Sequence, residues 1–175
     1  MTEKIIIAGS GGQGIMLLGK IIAEAAMRED KFVTWLPSYG AEVRGGTAHC
    51  MIIISDQEIG SPYVVKADTL IVLNEPSLAR FKGRLGYKSL LIADSSLVED
   101  KYVKGDYFPF ADIAIKLGNS KVANVVALGY FIARRKIISK ESVLRAMQNF
   151  AGQGKKHLLE INQKALEAGF SLSKK

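Results

Sequence analysis

The chain has 175 residues, 48% of them hydrophobic, enough apolar material for one packed core and too little length for two ordinary domains, so residues 1–175 are read as a single domain. Its formal charge of +7 raises nucleic acid as a partner, but Met1–Ala133 carries 14 basic against 14 acidic residues while Arg134–Lys175 carries 10 against 3, without the interleaved aromatics that stack bases. Ile5–Ile7 is too short for a signal segment or for the roughly 20 apolar residues of a membrane span, which leaves a cytoplasmic chain binding neither membrane nor nucleic acid.

Lys4–Ala8 reads as a short buried strand and Gly14–Glu29 as a helix, with Ile15, Leu18, Ile22 and Ala25 at helical spacing. Between them Gly9-Ser10-Gly11-Gly12-Gln13-Gly14 fits GxGxxG. Glycines there permit a tight turn and bring backbone N–H groups close to an anion at the positive end of the helix. Gly11 and Gly12 are expected to reject large side chains because a Cβ would block that turn. A dinucleotide site also places an acid about 20 residues on, at the end of the second strand. Here Phe32–Leu36, the second β-rich run, ends in Thr34-Trp35-Leu36-Pro37, and Glu29-Asp30 precedes it. The loop is therefore read as an anion seat or subunit contact, with a purely structural turn as the alternative. Gly14–Lys20 also matches the first seven positions of a P-loop, but Ile21 stands where the magnesium-binding Ser or Thr belongs, so nucleotide hydrolysis is rejected.

Strand, helix and strand over the first 36 residues predict a right-handed crossover and parallel pairing. The glycine-rich loop Pro37–Thr47 follows, holding Tyr39, Glu42, Arg44, Gly45 and Gly46 beyond a strand end, where functional loops of α/β sheets lie. Arg44 offers a planar fork for a carboxylate or phosphate, and Glu42 is placed to orient it. Ala48–Ser55 is an apolar strand, expected to turn at Asp56-Gln57 into Glu58-Ile59 as an antiparallel hairpin. Thr69–Leu73 is a strand, and Asn74-Glu75-Pro76 caps a short helix over Ser77–Phe81. Ser89–Ala93 and Tyr107-Phe108 are further strands before a helix at Ala111–Leu117. From Val122 the pattern is helical: Val122–Lys136, then Lys140–Phe150 capped by Ser139, then Lys155–Ala168 closed by Gly169. The basic excess falls on these helices and reads as a solvated face, with docking to an acidic partner as the alternative. The fold class is thus α/β, a Rossmann-like mostly parallel sheet with an antiparallel hairpin, flanked by helices, with a helical C-terminal third.

His49 and His157 are the only histidines, and neither stands at ligand or triad spacing with Cys50 or an acid. One cysteine cannot hold an iron–sulfur cluster, which normally takes four cysteine ligands. This inventory supplies no catalytic residue and no metal site.

GSGGQG with its helix, the run WLPSYGAEVRGGTAHC over Trp35–Cys50, and Val122-Ala123-Asn124-Val125-Val126-Ala127-Leu128-Gly129 together resemble the gamma subunit or domain of 2-oxoacid:ferredoxin oxidoreductases, most closely the 2-oxoglutarate type. The resemblance adds Asn124 to the candidate contacts. It implies alpha and beta catalytic subunits, often a ferredoxin-like delta subunit, and ferredoxin as electron acceptor. It also implies that thiamine diphosphate, Mg2+, [4Fe-4S] clusters and coenzyme A are used through the partner subunits, this chain contributing assembly and the coenzyme A approach. The isolated chain is expected to be inactive and, lacking its partners, to self-associate. The rivals are a stand-alone Rossmann-type dehydrogenase or flavoprotein and a non-enzymatic anion-binding regulatory module.

Overall fold

The computed structural model describes residues 1–38, 47–99, 101–151 and 156–174. Its centre is β1 (Thr2–Ser10), in which Ile5, Ile6, Ile7 and Ala8 are all fully buried because both faces of the sheet are covered there. Strand alternation divides them. Ile5 and Ile7 enter the larger core with α1 (Ile15–Met27) and α4 (Ala123–Arg135), while Ile6 and Ala8 enter a smaller one beside α2 (Glu75–Phe81). The remaining strands are β2 (Phe32–Ser38), β3 (Thr47–Ser55), β4 (Ala67–Val72), β5 (Leu85–Asp94) and β6 (Asp106–Phe108). The remaining helices are α3 (Phe110–Lys116), α5 (Lys140–Ala151) and α6 (Lys156–Leu172). No helix among the described residues is long and apolar enough to cross a membrane.

The sheet order is β2-β3-β1-β4-β5-β6, with β1, β4, β5 and β6 parallel and β3 antiparallel to both its neighbours. Two sequence expectations are corrected here. β1 and β2 run in the same direction but do not pair: β3 lies between them, Ile52 standing opposite Ile5 on one side and Trp35 on the other. Nor does β3 fold back onto Glu58-Ile59, because both its edges are already taken, and residues 56–66 form no regular element. The cause is burial. Cys50 to Ser55 is buried without a break, which an interior strand satisfies on both faces and both edges, whereas β2 is only half-buried and takes the sheet margin.

The helical third covers one face. α4 is buried along nearly its whole length between the sheet and α6. Gly129 of α4 and Gly169 of α6 lie where the two backbones meet, a Cβ on Gly169 falling against the Val126 carbonyl and 3.0 Å from the Tyr130 nitrogen. Gly169 therefore does not close the last helix, as its place in the sequence predicts; α6 continues to Leu172, and the glycine permits close helix approach.

Three cations of the basic C-terminal third pair with acids, one of them with a buried acid. Arg135 grips Glu3 with two hydrogen bonds of 2.7 and 2.6 Å, the Glu3 side chain being 6% exposed, and Thr69 Oγ1 donates to the same carboxylate at 2.6 Å. This pins the end of α4 to the start of β1. Arg134 pairs with Asp106 at 3.1 Å, and Lys140 pairs with Glu167 across α5 and α6.

Candidate functional site

The C-terminal ends of β1 and β4 and the N-terminal ends of α1 and α4 meet at one margin of the sheet. Ser10, the last residue of β1, pairs with Thr47, the first of β3, and Ser38, the last of β2, pairs with His49, so the end of β2 and the start of β3 lie at this margin as well. Tyr39, Glu42, Arg44, Gly45 and Gly46 lie outside the described residues.

The glycine turn has the backbone its sequence predicts, and the reason differs from glycine to glycine. Gly12 (φ +91°) and Gly14 (φ +71°) occupy left-handed conformations that disfavour other residues, Gly14 forming the cap of α1. A Cβ at Gly12 would meet nothing within 4 Å, so the expected steric block is corrected there: dihedral preference imposes glycine. At Gly9 the block is real, a Cβ falling 2.6 Å from Gln13 Oε1 and 2.7 Å from Ile15 Cδ1.

The polar side chains of the turn bind the fold itself. Gln13 accepts from the Ser10 N–H through Oε1 at 2.6 Å and donates through Nε2 to the Leu73 carbonyl at 3.0 Å, a pair of bonds that only one orientation of the amide satisfies. Asn74 donates to Ser10 Oγ while its Oδ1 accepts from the Ser77 N–H at 3.1 Å, capping α2 as the Asn-Glu-Pro pattern predicts. Asn124, 3% exposed, donates to the Gly14 carbonyl at 3.2 Å. The structure thus joins Gly9, Ser10, Gln13, Gly14 and Asn124 into one braced cluster and leaves Gly11 and Gly12 exposed at its tip. Leu73 and Asn74 belong to it as well. Sequence reading misses them as site residues because their part depends on β4 lying beside β1.

A cavity of about 320 Å³ adjoins the turn between Asn124, Lys121 and the apolar Leu17, Phe150 and Leu158, the last three 38–44% exposed. On the opposite sheet face, a second cavity of about 410 Å³ lies between β2, β3 and α2, with His49, Arg80 and Arg84 in its wall. Neither arginine stands out in the sequence, where their i, i+4 spacing is the one available signal.

His49 and Cys50 point to opposite faces, and both are buried. His49 packs on Phe81 with ring centroids 4.7 Å apart. Cys50 points at the Ile15 carbonyl, and burial pushes its thiol up to about 12, which leaves no nucleophilic thiolate at neutral pH. Asp94, fully buried, is raised by the same cause against hydrogen bonds from the Ser96 and Ala111 N–H groups, and it caps α3. Among the described residues, no group of three His, Cys, Asp or Glu side chains is placed to hold a metal ion. One buried cysteine also fails the ligand requirement of an iron–sulfur cluster.

Both nucleotide readings weaken on this geometry. Ile15 to Lys20 is helix, not phosphate loop, and the Lys20 ammonium lies over the Trp35 ring, 5.2 Å from its centroid. β2 is one strand further from β1 than a dinucleotide crevice requires, and Glu29 is occupied elsewhere, accepting from the Ser139 N–H at 2.7 Å.

The described residues form a mixed-sheet α/β domain with a braced glycine turn at one margin of the sheet. Residues 4–172 match the family described as pyruvate ferredoxin/flavodoxin oxidoreductase, and the chain belongs to it. It is 36% identical over 168 residues to the ketoisovalerate oxidoreductase subunit VorA of Methanothermobacter thermautotrophicus, covering 95% of this chain and 35% of that one. The chain thus spans about a third of the length of the VorA relatives it matches. It is 34% identical over 183 residues to the 2-oxoglutarate synthase subunit KorC of Methanocaldococcus jannaschii, covering 99% of this chain and 95% of that one. The crystal structure of the keto/oxoacid ferredoxin oxidoreductase gamma subunit from Geobacter sulfurreducens superposes with a TM-score of 0.84 at 31% identity, covering 99% of this chain and 97% of that one.

Proposed function

We propose that the chain serves as the gamma subunit of a 2-oxoacid:ferredoxin oxidoreductase of the 2-oxoglutarate type, forming succinyl-CoA, CO2 and reduced ferredoxin. In this reading the alpha and beta subunits carry the chemistry, with a delta subunit and ferredoxin completing electron transfer. Thiamine diphosphate, Mg2+ and the clusters then reside in those partners. The observation that carries the reading is the braced glycine turn: Gln13, Asn74 and Asn124 each hydrogen-bond the Gly9–Gly14 segment and hold it in place, leaving an exposed glycine tip beside a half-apolar cavity. A rigid backbone surface of this kind suits docking and ligand approach better than proton transfer. The matches to KorC over 95% of its length and to a gamma subunit over 97% of its chain support the gamma-subunit role, and KorC supports 2-oxoglutarate as the substrate.

The turn, Asn124 and the loop bearing Tyr39, Glu42, Arg44, Gly45 and Gly46 are assigned to the contact with the catalytic subunits and to the coenzyme A approach. The test is coexpression with candidate alpha and beta subunits, copurification, and reduction of an artificial acceptor by 2-oxoglutarate, 2-oxoisovalerate or pyruvate with coenzyme A. A stable complex that prefers 2-oxoglutarate is expected, the isolated chain being inactive with all three. Failure to copurify overturns the subunit role, and preference for 2-oxoisovalerate overturns the substrate.

A further inference from the structure

The cavity between β2, β3 and α2 is a second site, separate from the glycine turn and on the opposite face of the sheet. α2 ends at Phe81, and the tight turn Lys82–Arg84 that follows brings Arg80 and Arg84 to one wall. Arg84 is held in place: one Nη donates to the Val64 carbonyl at 3.0 Å, the other to Tyr63 Oη at 2.8 Å, and its Cζ lies 5.3 Å from the Tyr63 ring centroid. Arg80 lies over the Phe81 ring at 5.4 Å. Among the described residues neither guanidinium pairs with a carboxylate. His49 completes the wall at 7% exposure, and its buried Nδ1 has no hydrogen-bond partner. A buried polar atom without a partner costs on the order of 1–3 kcal/mol, and two uncompensated guanidinium groups beside it leave a strong local positive potential.

We propose that this cavity binds a small phosphorylated molecule, its phosphate held by Arg80 and Arg84 with His49 as a third hydrogen-bonding partner. Guanidinium forks match phosphate oxygens in pairs, which favours phosphate over a monoanion. About 410 Å³ exceeds what an inorganic ion fills, and Leu36 and Phe81 supply apolar wall for the body of the ligand. Burial and the two neighbouring arginines lower the His49 pKa, so the ring is neutral at physiological pH and contributes a hydrogen bond without a charge. The site belongs to this chain alone and does not depend on the subunit assignment.

The test is NMR titration of the full chain with inorganic pyrophosphate at constant ionic strength, with potassium chloride and citrate as parallel arms. Saturable shifts at His49, Tyr63, Arg80 and Arg84 are expected with pyrophosphate and not with chloride. Arg80→Gln, at an exposed position, is expected to weaken binding about tenfold or more without unfolding, and His49→Gln to weaken it as well, while Lys116→Gln on α3 binds as wild type. Absence of saturation at these residues overturns the site, as does binding that Arg80→Gln leaves unchanged. Tighter binding of citrate than of pyrophosphate overturns the assignment to phosphate.

Discussion

Replacing Gln13 by alanine removes both of its bracing bonds, one to the Ser10 N–H within the turn and one to the Leu73 carbonyl just past β4, while Gln13 itself lies outside both hydrophobic cores. Each bond contributes about 1 kcal/mol net, so Gln13→Ala should lose about 2 kcal/mol, and Asn74 and Asn124 should keep the rest of the turn in place. For a chain of this size that corresponds to about 4 to 8 °C in Tm. Gln13→Glu separates the two bonds. One carboxylate oxygen still accepts from the Ser10 N–H, but the other faces the Leu73 carbonyl, acceptor against acceptor, until the carboxyl is protonated. Its folded-state pKa is thereby raised, so the deficit of Gln13→Glu should be largest near neutral pH and should shrink as pH falls. Urea denaturation of wild type, Gln13→Ala and Gln13→Glu at pH 7.5 and near pH 5 reads all of this, since only the glutamate variant has a new group to titrate. If Gln13→Ala stays within about 0.5 kcal/mol of wild type, and the glutamate variant matches it at both pH values, the turn is not braced as described. Copurification of Gln13→Ala with alpha and beta subunits then reports whether the shape of the turn matters for docking.

Glu3→Gln should cost about 3 kcal/mol, because it leaves the Arg135 guanidinium partly buried without its charge partner, and Glu3→Met with Arg135→Met should recover much of the loss; a double-mutant cycle that shows no coupling would contradict this. Gly169→Ala separates propensity from packing: helix propensity favours alanine by about 1 kcal/mol, whereas a Cβ against the backbone of α4 should destabilise by about 1 to 3 kcal/mol, so a raised Tm would refute the close approach. Because burial and the charges of Arg80 and Arg84 lower the His49 pKa, the unfolded chain takes up this proton first as pH falls through the ordinary histidine range. Stability should therefore be lost below about pH 6.5 and the loss reduced in His49→Gln; a His49 resonance titrating above the ordinary value would reverse the sign.

Local signals in the sequence determined the local structure. The apolar run of β1, the left-handed glycines before α1, the Asn74 cap with Pro76, and the helical period from Val122 onward each depend on residues within a few positions of one another, and each element forms where that pattern predicts. The order and separation of the three motifs suffice to place the chain in its family. Pairing and packing were decided by the tertiary structure. β3 could have turned back on Glu58-Ile59, but the continuous burial of Cys50–Ser55 is met only with a strand on each side, and one of those strands, β1, lies far away in sequence, as Thr2 does from Ser55. Gly169 at the end of a periodic run reads as a stop until α4 lies against it. Glu3 and Arg135, 132 positions apart, show no local sign that they pair, and His49, Arg80 and Arg84 become one wall only when β3 and α2 share a face of the sheet. Periodicity and capping act along the chain within one or two turns, whereas strand order, helix contact and charge pairing depend on which surfaces are buried against each other, and that is settled only when the whole core closes.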